Sequence, residues 1–101
     1  MSNYQLHTPR QITELMGQKI QKLRVHRNWT QRTLAKRSGV PLGTLRRFEQ
    51  SGDISLNSLM MLVGALGMLD EFLRILDPPP ARSIRELEKM ERVNERKRGS
   101  I

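Results

Sequence analysis

A glycine at 39 and a proline at 41, set between two short stretches that each carry apolar residues at helical spacing, constrain this chain more than any other feature. Gly39 is the residue there best able to take a left-handed backbone conformation. Pro41 cannot continue a helix that precedes it, yet it readily opens a new one. The chain must therefore run in as a helix, reverse within a few residues and leave as a second helix. Thr30 starts the first of the two, with Trp29 and Leu34 spaced around it as a hydrophobic staple. The second, residues 41 to 50, turns Leu45 and Phe48 inward and ends at Ser51-Gly52.

The flanks are helical too. Thr8-Pro9-Arg10-Gln11 combines a capping threonine, a proline suited to the first helical position and a glutamine placed to complete a capping box. From there Ile12, Met16, Ile20 and Leu23 form one apolar face over about residues 9 to 27, and Gly17 within it marks close helix packing, not a break. Ser55 opens a helix whose Leu56, Leu59, Met60, Leu62, Val63 and Leu66 are too apolar all round for an exposed element. Asp70 is expected to cap a fifth helix carrying Phe72, Leu73 and Leu76, which Asp77-Pro78-Pro79-Pro80 stops. No stretch alternates with a strand's period of two. The expected fold is all-α, with residues 1–8 flexible, a five-helix domain over 9–77, and a proline break with a charged tail over 78–101. In the tail Ser83 and Glu86 form another capping box, and Ile84, Leu87, Met90 and Val93 share a stripe. A helix of that size is marginal alone in water, so the tail either docks on something or stays disordered.

The chain has 101 residues, enough for one core, and a net charge of +8. The charge is polarised: residues 10–37 carry +7 and residues 38–77 carry −2. A polyanionic partner follows from such a distribution. With no cysteine there are no disulfides, no thiolate catalysis and no zinc-thiolate site, which suits a reducing cytoplasm. No apolar run reaches the roughly 18 residues of a membrane span, and MSNYQLHTP does not read as a secretion signal. An enzyme finds little footing: there is no histidine pair at metal spacing and no phosphate-cradling glycine loop, and no cofactor is expected. Four aromatic residues are too few for stacking on single strands, so Trp29 reads as a staple residue, and Met60, Met61 and Met68 read as core filler. His26 suits the carbonyl end of the first helix. Lys19, Lys22 and Arg27 fit either a solvated face or a DNA-facing one.

Two short helices joined by a tight glycine turn make a helix-turn-helix, whose second helix enters the major groove of duplex DNA. The pattern Thr30-Gln31-x-x-Leu34-Ala35-x-x-x-Gly39-Val40-x-x-x-Thr44-Leu45-x-x-x-Glu49 resembles the Cro/repressor-like (XRE) helix-turn-helix family, over about residues 12 to 76. That resemblance implies a five-helix, lambda-repressor-like DNA-binding domain. It implies that Gln31 contacts the DNA backbone and buttresses the recognition helix, that Leu42, Gly43, Thr44 and Arg47 face base edges with Arg46 on the flank, and that Arg24 and Glu49 form a structural ion pair. Leu42 and Gly43 depart from the polar readers common in the family, which leaves a thymine methyl for Leu42 and close backbone approach for Gly43. The side-chain chemistry agrees independently: the planar fork of Arg47, or of Arg46, matches guanine O6 and N7, while Arg32, Lys36 and Arg37 suit phosphates.

Modules of this size usually bind pseudo-palindromic sites as two-fold homodimers. Leu69, Phe72, Leu73 and Leu76 are the candidate dimer surface, unless they only close the monomer core. The layout of a small repressor-like domain, a proline break and a charged tail also resembles HipB-like antitoxins, which repress their own operon and bind a HipA-type kinase toxin. Two other readings stay open: a stand-alone cytoplasmic repressor whose tail is a basic arm, and a protein-sequestering module with weak DNA binding.

Overall fold

The computed structural model describes residues 7–80 and 83–99, and every regular element among them is helical: α1 (Pro9–His26), α2 (Gln31–Ser38), α3 (Leu42–Ser51), α4 (Leu56–Ala65), α5 (Leu69–Arg74) and α6 (Ile84–Gly99). Residues 1–6, most of the segment expected to be flexible, lie outside the described residues, as do residues 81–82 at the start of the tail.

Four of these helices begin on a hydroxyl that satisfies a backbone N–H left without an intrahelical acceptor. Thr8 Oγ1 accepts from Gln11 N at 3.2 Å while Thr8 N donates to Gln11 Oε1 at 2.8 Å, closing the capping box around Pro9. Thr30, Ser55 and Ser83 cap α2, α4 and α6 through Thr33, Ser58 and Glu86, at 3.0, 3.1 and 3.2 Å. Two details differ from the reading of the sequence. Asp70 does not cap α5: Gly67, at φ +72°, and a bond from Met68 N to Val63 O close the preceding turn so tightly that the helix resumes at Leu69. Asp70 and Glu71 instead occupy the first turn, where their charge complements the positive end of the helix. Leu56, at the first position of α4, is 71% exposed, because the buried stripe of that helix starts at Leu59.

The core gathers Ile20 of α1, Leu34 and Ala35 of α2, Val40 of the turn, Leu45 and Phe48 of α3, and Leu59, Leu62, Val63 and Leu66 of α4 and its end. Packing runs from α1 onto α3, from α2 onto α3 and α4, and from α4 onto α5. The helix α6 shares no comparable contact with these five. Its Ile84, Leu87 and Val93 are exposed, as are Leu69, Leu73 and Leu76 of α5 and its end, whereas Phe72 leans on the core.

The crossing of α1 and α3 depends on Gly17. A Cβ there would overlap the Phe48 carbonyl oxygen, so the missing side chain is what lets the two backbones meet. Gly17→Ala should therefore destabilise the fold by about 1–3 kcal/mol through forced separation of α1 and α3, against the roughly 1 kcal/mol by which alanine favours an unconstrained helix. Urea unfolding measures the sign, and a stabilised variant would mean that the helices do not meet there.

Candidate nucleic-acid interface

The short elements α2 and α3 are held at a fixed angle by the turn between them. Gly39 ends α2 at φ +81°, its N–H donating to Ala35 O at 2.9 Å, and buried Val40 follows. Pro41 then stands at the start of α3, which has no side-chain cap. Neither α2 nor α3 carries an acidic residue in its first turn, so the positive ends of both helices remain available to an anion.

One face of α3 is inside the molecule and the other is outside. Leu45, Phe48 and Glu49 are buried, while Gly43, Arg46, Arg47 and Gln50 are exposed. Thr44 is half-buried, and Leu42 is half-buried with its side chain packed against the core, so Leu42 presents only part of its surface outward. A Cβ at Gly43 would meet nothing, so packing does not demand a glycine there and the gap lies on the outer side. Arg32, Lys36 and Arg37 of α2 are exposed.

A buried ion pair ties this unit to α1. Arg24 donates from Nε to Glu49 Oε2 at 2.9 Å and from Nη2 to Glu49 Oε1 at 3.0 Å, the parallel two-bond geometry that makes an arginine–carboxylate contact strong. The third direction of the guanidinium is used as well, with Nη1 donating to Trp29 O at 2.7 Å. Gln31 Nε2 donates to Glu49 Oε1 at 3.0 Å and its Oε1 accepts from Arg46 Nε at 3.4 Å. A continuous hydrogen-bonded path therefore joins the interior to an arginine on the outer face of α3.

Other cations divide by role. Arg37 stacks on Trp29 with its guanidinium carbon 4.5 Å from the ring centroid, within cation–π range. Arg27 lies 5.8 Å from the same ring and donates to Leu66 O at 2.6 Å and Leu23 O at 3.4 Å, which gives it a structural use between α1 and the end of α4. Lys22 is exposed, and Lys19 borders an apolar cavity of about 290 Å³ between α1, α4 and α5. Arg47 pairs with Asp53, Nη2 to Oδ2 at 2.5 Å, both side chains well exposed. Reading the sequence missed this contact. The signal was present only as an acidic residue just past the glycine that ends α3. Among the described residues no cluster of His, Asp and Glu is arranged to hold a metal ion, and no helix is long and apolar enough to cross a membrane.

The Helix-turn-helix family matches residues 20–72, which spans the end of α1, the α2–turn–α3 unit, α4 and the start of α5. The chain belongs to this family, the Cro/repressor-like helix-turn-helix proteins. In the comparison with curated proteins nothing matches it. The helix-turn-helix makes the protein a DNA-binding regulator of transcription. Within it, the Arg24–Glu49 pair has the character of a structural lock, since its side chains are 9% and 1% exposed. Arg24→Met should cost about 3–5 kcal/mol, because Glu49 is then buried without its counter-ion, and a matched Arg24→Met/Glu49→Leu double variant should recover most of that loss. Chemical denaturation of the three proteins checks both values, and a single-variant loss below about 1 kcal/mol would show the pair to be solvated.

Proposed function

We propose that the protein is a sequence-specific, homodimeric repressor that reads operator DNA with the outer face of α3 and takes no part in catalysis. One observation carries this reading: the same helix buries Leu45, Phe48 and Glu49 and presents Gly43, Arg46 and Arg47 to solvent, so a rigid element offers forked donors to a groove. Arg47 and Arg46 address guanine edges, Thr44 and the exposed part of Leu42 make shorter contacts, and Gly43 admits close approach of the backbone. Gln31, Arg32, Lys36 and Arg37, with the amide ends of α2 and α3, take phosphates and set register. In this reading residues 9–77 are the DNA-binding unit, acting in the compartment that holds the chromosome.

The exposed Leu69, Leu73 and Leu76 support α5 and its end as the surface that pairs two copies, since they do not close the monomer's core. An antitoxin role is supported by a separate observation. The helix α6 shows Ile84, Leu87 and Val93 to solvent, an apolar stripe suited to another protein, and a HipA-type kinase toxin would be its partner.

The reading is tested by titrating a duplex selected by the protein from a random-sequence pool, alongside a scrambled duplex. Arg47→Ala should lower affinity for the selected duplex by about 10- to 100-fold, corresponding to about 1–3 kcal/mol, with little change on the scrambled one. Lys36→Ala should weaken both alike and flatten the salt dependence by about one unit of slope. Failure of any sequence to emerge from selection would exclude a sequence-specific repressor. Removing residues 78–101 should leave a dimer in sedimentation that still binds the selected duplex, while abolishing co-purification with the product of an adjacent kinase-like gene. A monomeric product would move the dimer surface into the tail, and a shallower salt slope would make the tail a phosphate-binding arm.

A further inference from the structure

We infer that Asp53 is a specificity-determining residue, whose carboxylate orients and partly neutralises Arg47 so that this arginine favours a base edge over a phosphate. The inference rests on the base-reading role proposed for Arg47. Its observation is the contact between Arg47 Nη2 and Asp53 Oδ2 at 2.5 Å.

The backbone that carries Asp53 is held in place although its side chain is exposed. Gly52 is buried at φ +77°, its N–H donates to Phe48 O at 2.8 Å, and a Cβ there would overlap the backbone of Thr13 and Glu14, so the loop is seated directly on α1. Ile54, on the other side of Asp53, packs against the core. Just before Gly52, Ser51 Oγ donates to Arg47 O at 2.8 Å and accepts from Asp53 N at 3.4 Å, tying the backbones of the two charged residues to each other. Arg10, the other cation lining the cleft between the start of α1 and the loop after α3, is engaged by Glu14 at 3.3 Å.

The chemistry of the pair separates two kinds of target. A guanidinium has five N–H donors, so one bond from Nη2 to Asp53 leaves donors for a guanine's neutral O6 and N7. A phosphate gains from Arg47 mainly through charge and counterion release, and a carboxylate beside the arginine reduces both while repelling the phosphate itself. The pairing therefore weakens nonspecific binding more than operator binding. It also restricts the arginine's rotamers before DNA arrives, which lowers the ordering cost of the base contact.

The test compares wild type, Asp53→Asn, Arg47→Ala and the double variant on the selected and scrambled duplexes over a range of salt, with thermal midpoints to verify folding. Asp53→Asn is expected to bind the scrambled duplex several-fold more tightly, with a salt slope steeper by about 0.9, the contribution of one further neutralised phosphate. Its preference for the selected duplex should fall several-fold, and Asp53→Glu should restore it. In the Arg47→Ala background the same Asp53→Asn change should leave the preference unaltered. An equal fall in both backgrounds would overturn the inference in favour of plain repulsion between Asp53 and DNA, and no fall in either would overturn it outright. If Arg47→Ala itself leaves the preference intact, the base-reading role and this inference fail together. If Arg47→Ala reduces the preference and Asp53→Asn does not, only the inference fails.

Discussion

The buried pair of Arg24 and Glu49 joins α1 to α3, and the orientation of the recognition surface follows from it. Ions of opposite sign taken out of water are stable only when each direction of hydrogen bonding is met. Here the arginine is bonded to both carboxylate oxygens and to Trp29 O, and the carboxylate also accepts from Gln31. Apolar packing alone would hold α3 against the body while tolerating small rotations about its axis. Directional bonds do not, and a groove-reading helix needs its donors placed within fractions of an ångström.

That lock reaches outward through Gln31 to Arg46, and a second constraint reaches Arg47 from the opposite end of the helix. Gly52 seats the loop after α3 on the backbone of α1, and Ser51 and Asp53 then hold Arg47. The two arginines at the middle of α3 are thus anchored from different sides, one by a neutral amide and one by a carboxylate. The amide leaves the charge of Arg46 whole, whereas the carboxylate beside Arg47 offsets part of its charge. Similar side chains at adjacent positions acquire different chemistry from what stands behind them.

Much of the fold was legible because its signals are local. Thr8, Thr30, Ser55 and Ser83 cap helices through their own backbone neighbours, and Gly39 reverses the chain through its own φ. The start of α5 was misread because Met68 N bonds to Val63 O in the preceding helix, and that contact outweighs the capping preference of Asp70. Leu56 was misread because composition reports that α4 is apolar, while burial depends on which way its first turn faces. The Asp53–Arg47 contact had no sequence signature beyond two opposite charges on either side of a glycine.

By itself the sequence determined the helical class, the turn at Gly39, the basic first half and the family, because each of these depends on spacing and composition over a few consecutive turns. Only the tertiary structure decided how the exposed arginines of α3 are supported, which backbone Gly17 meets and why Gly52 must be a glycine. These depend on which backbone comes within contact distance of another, and residues far apart in the chain meet only once the core has closed.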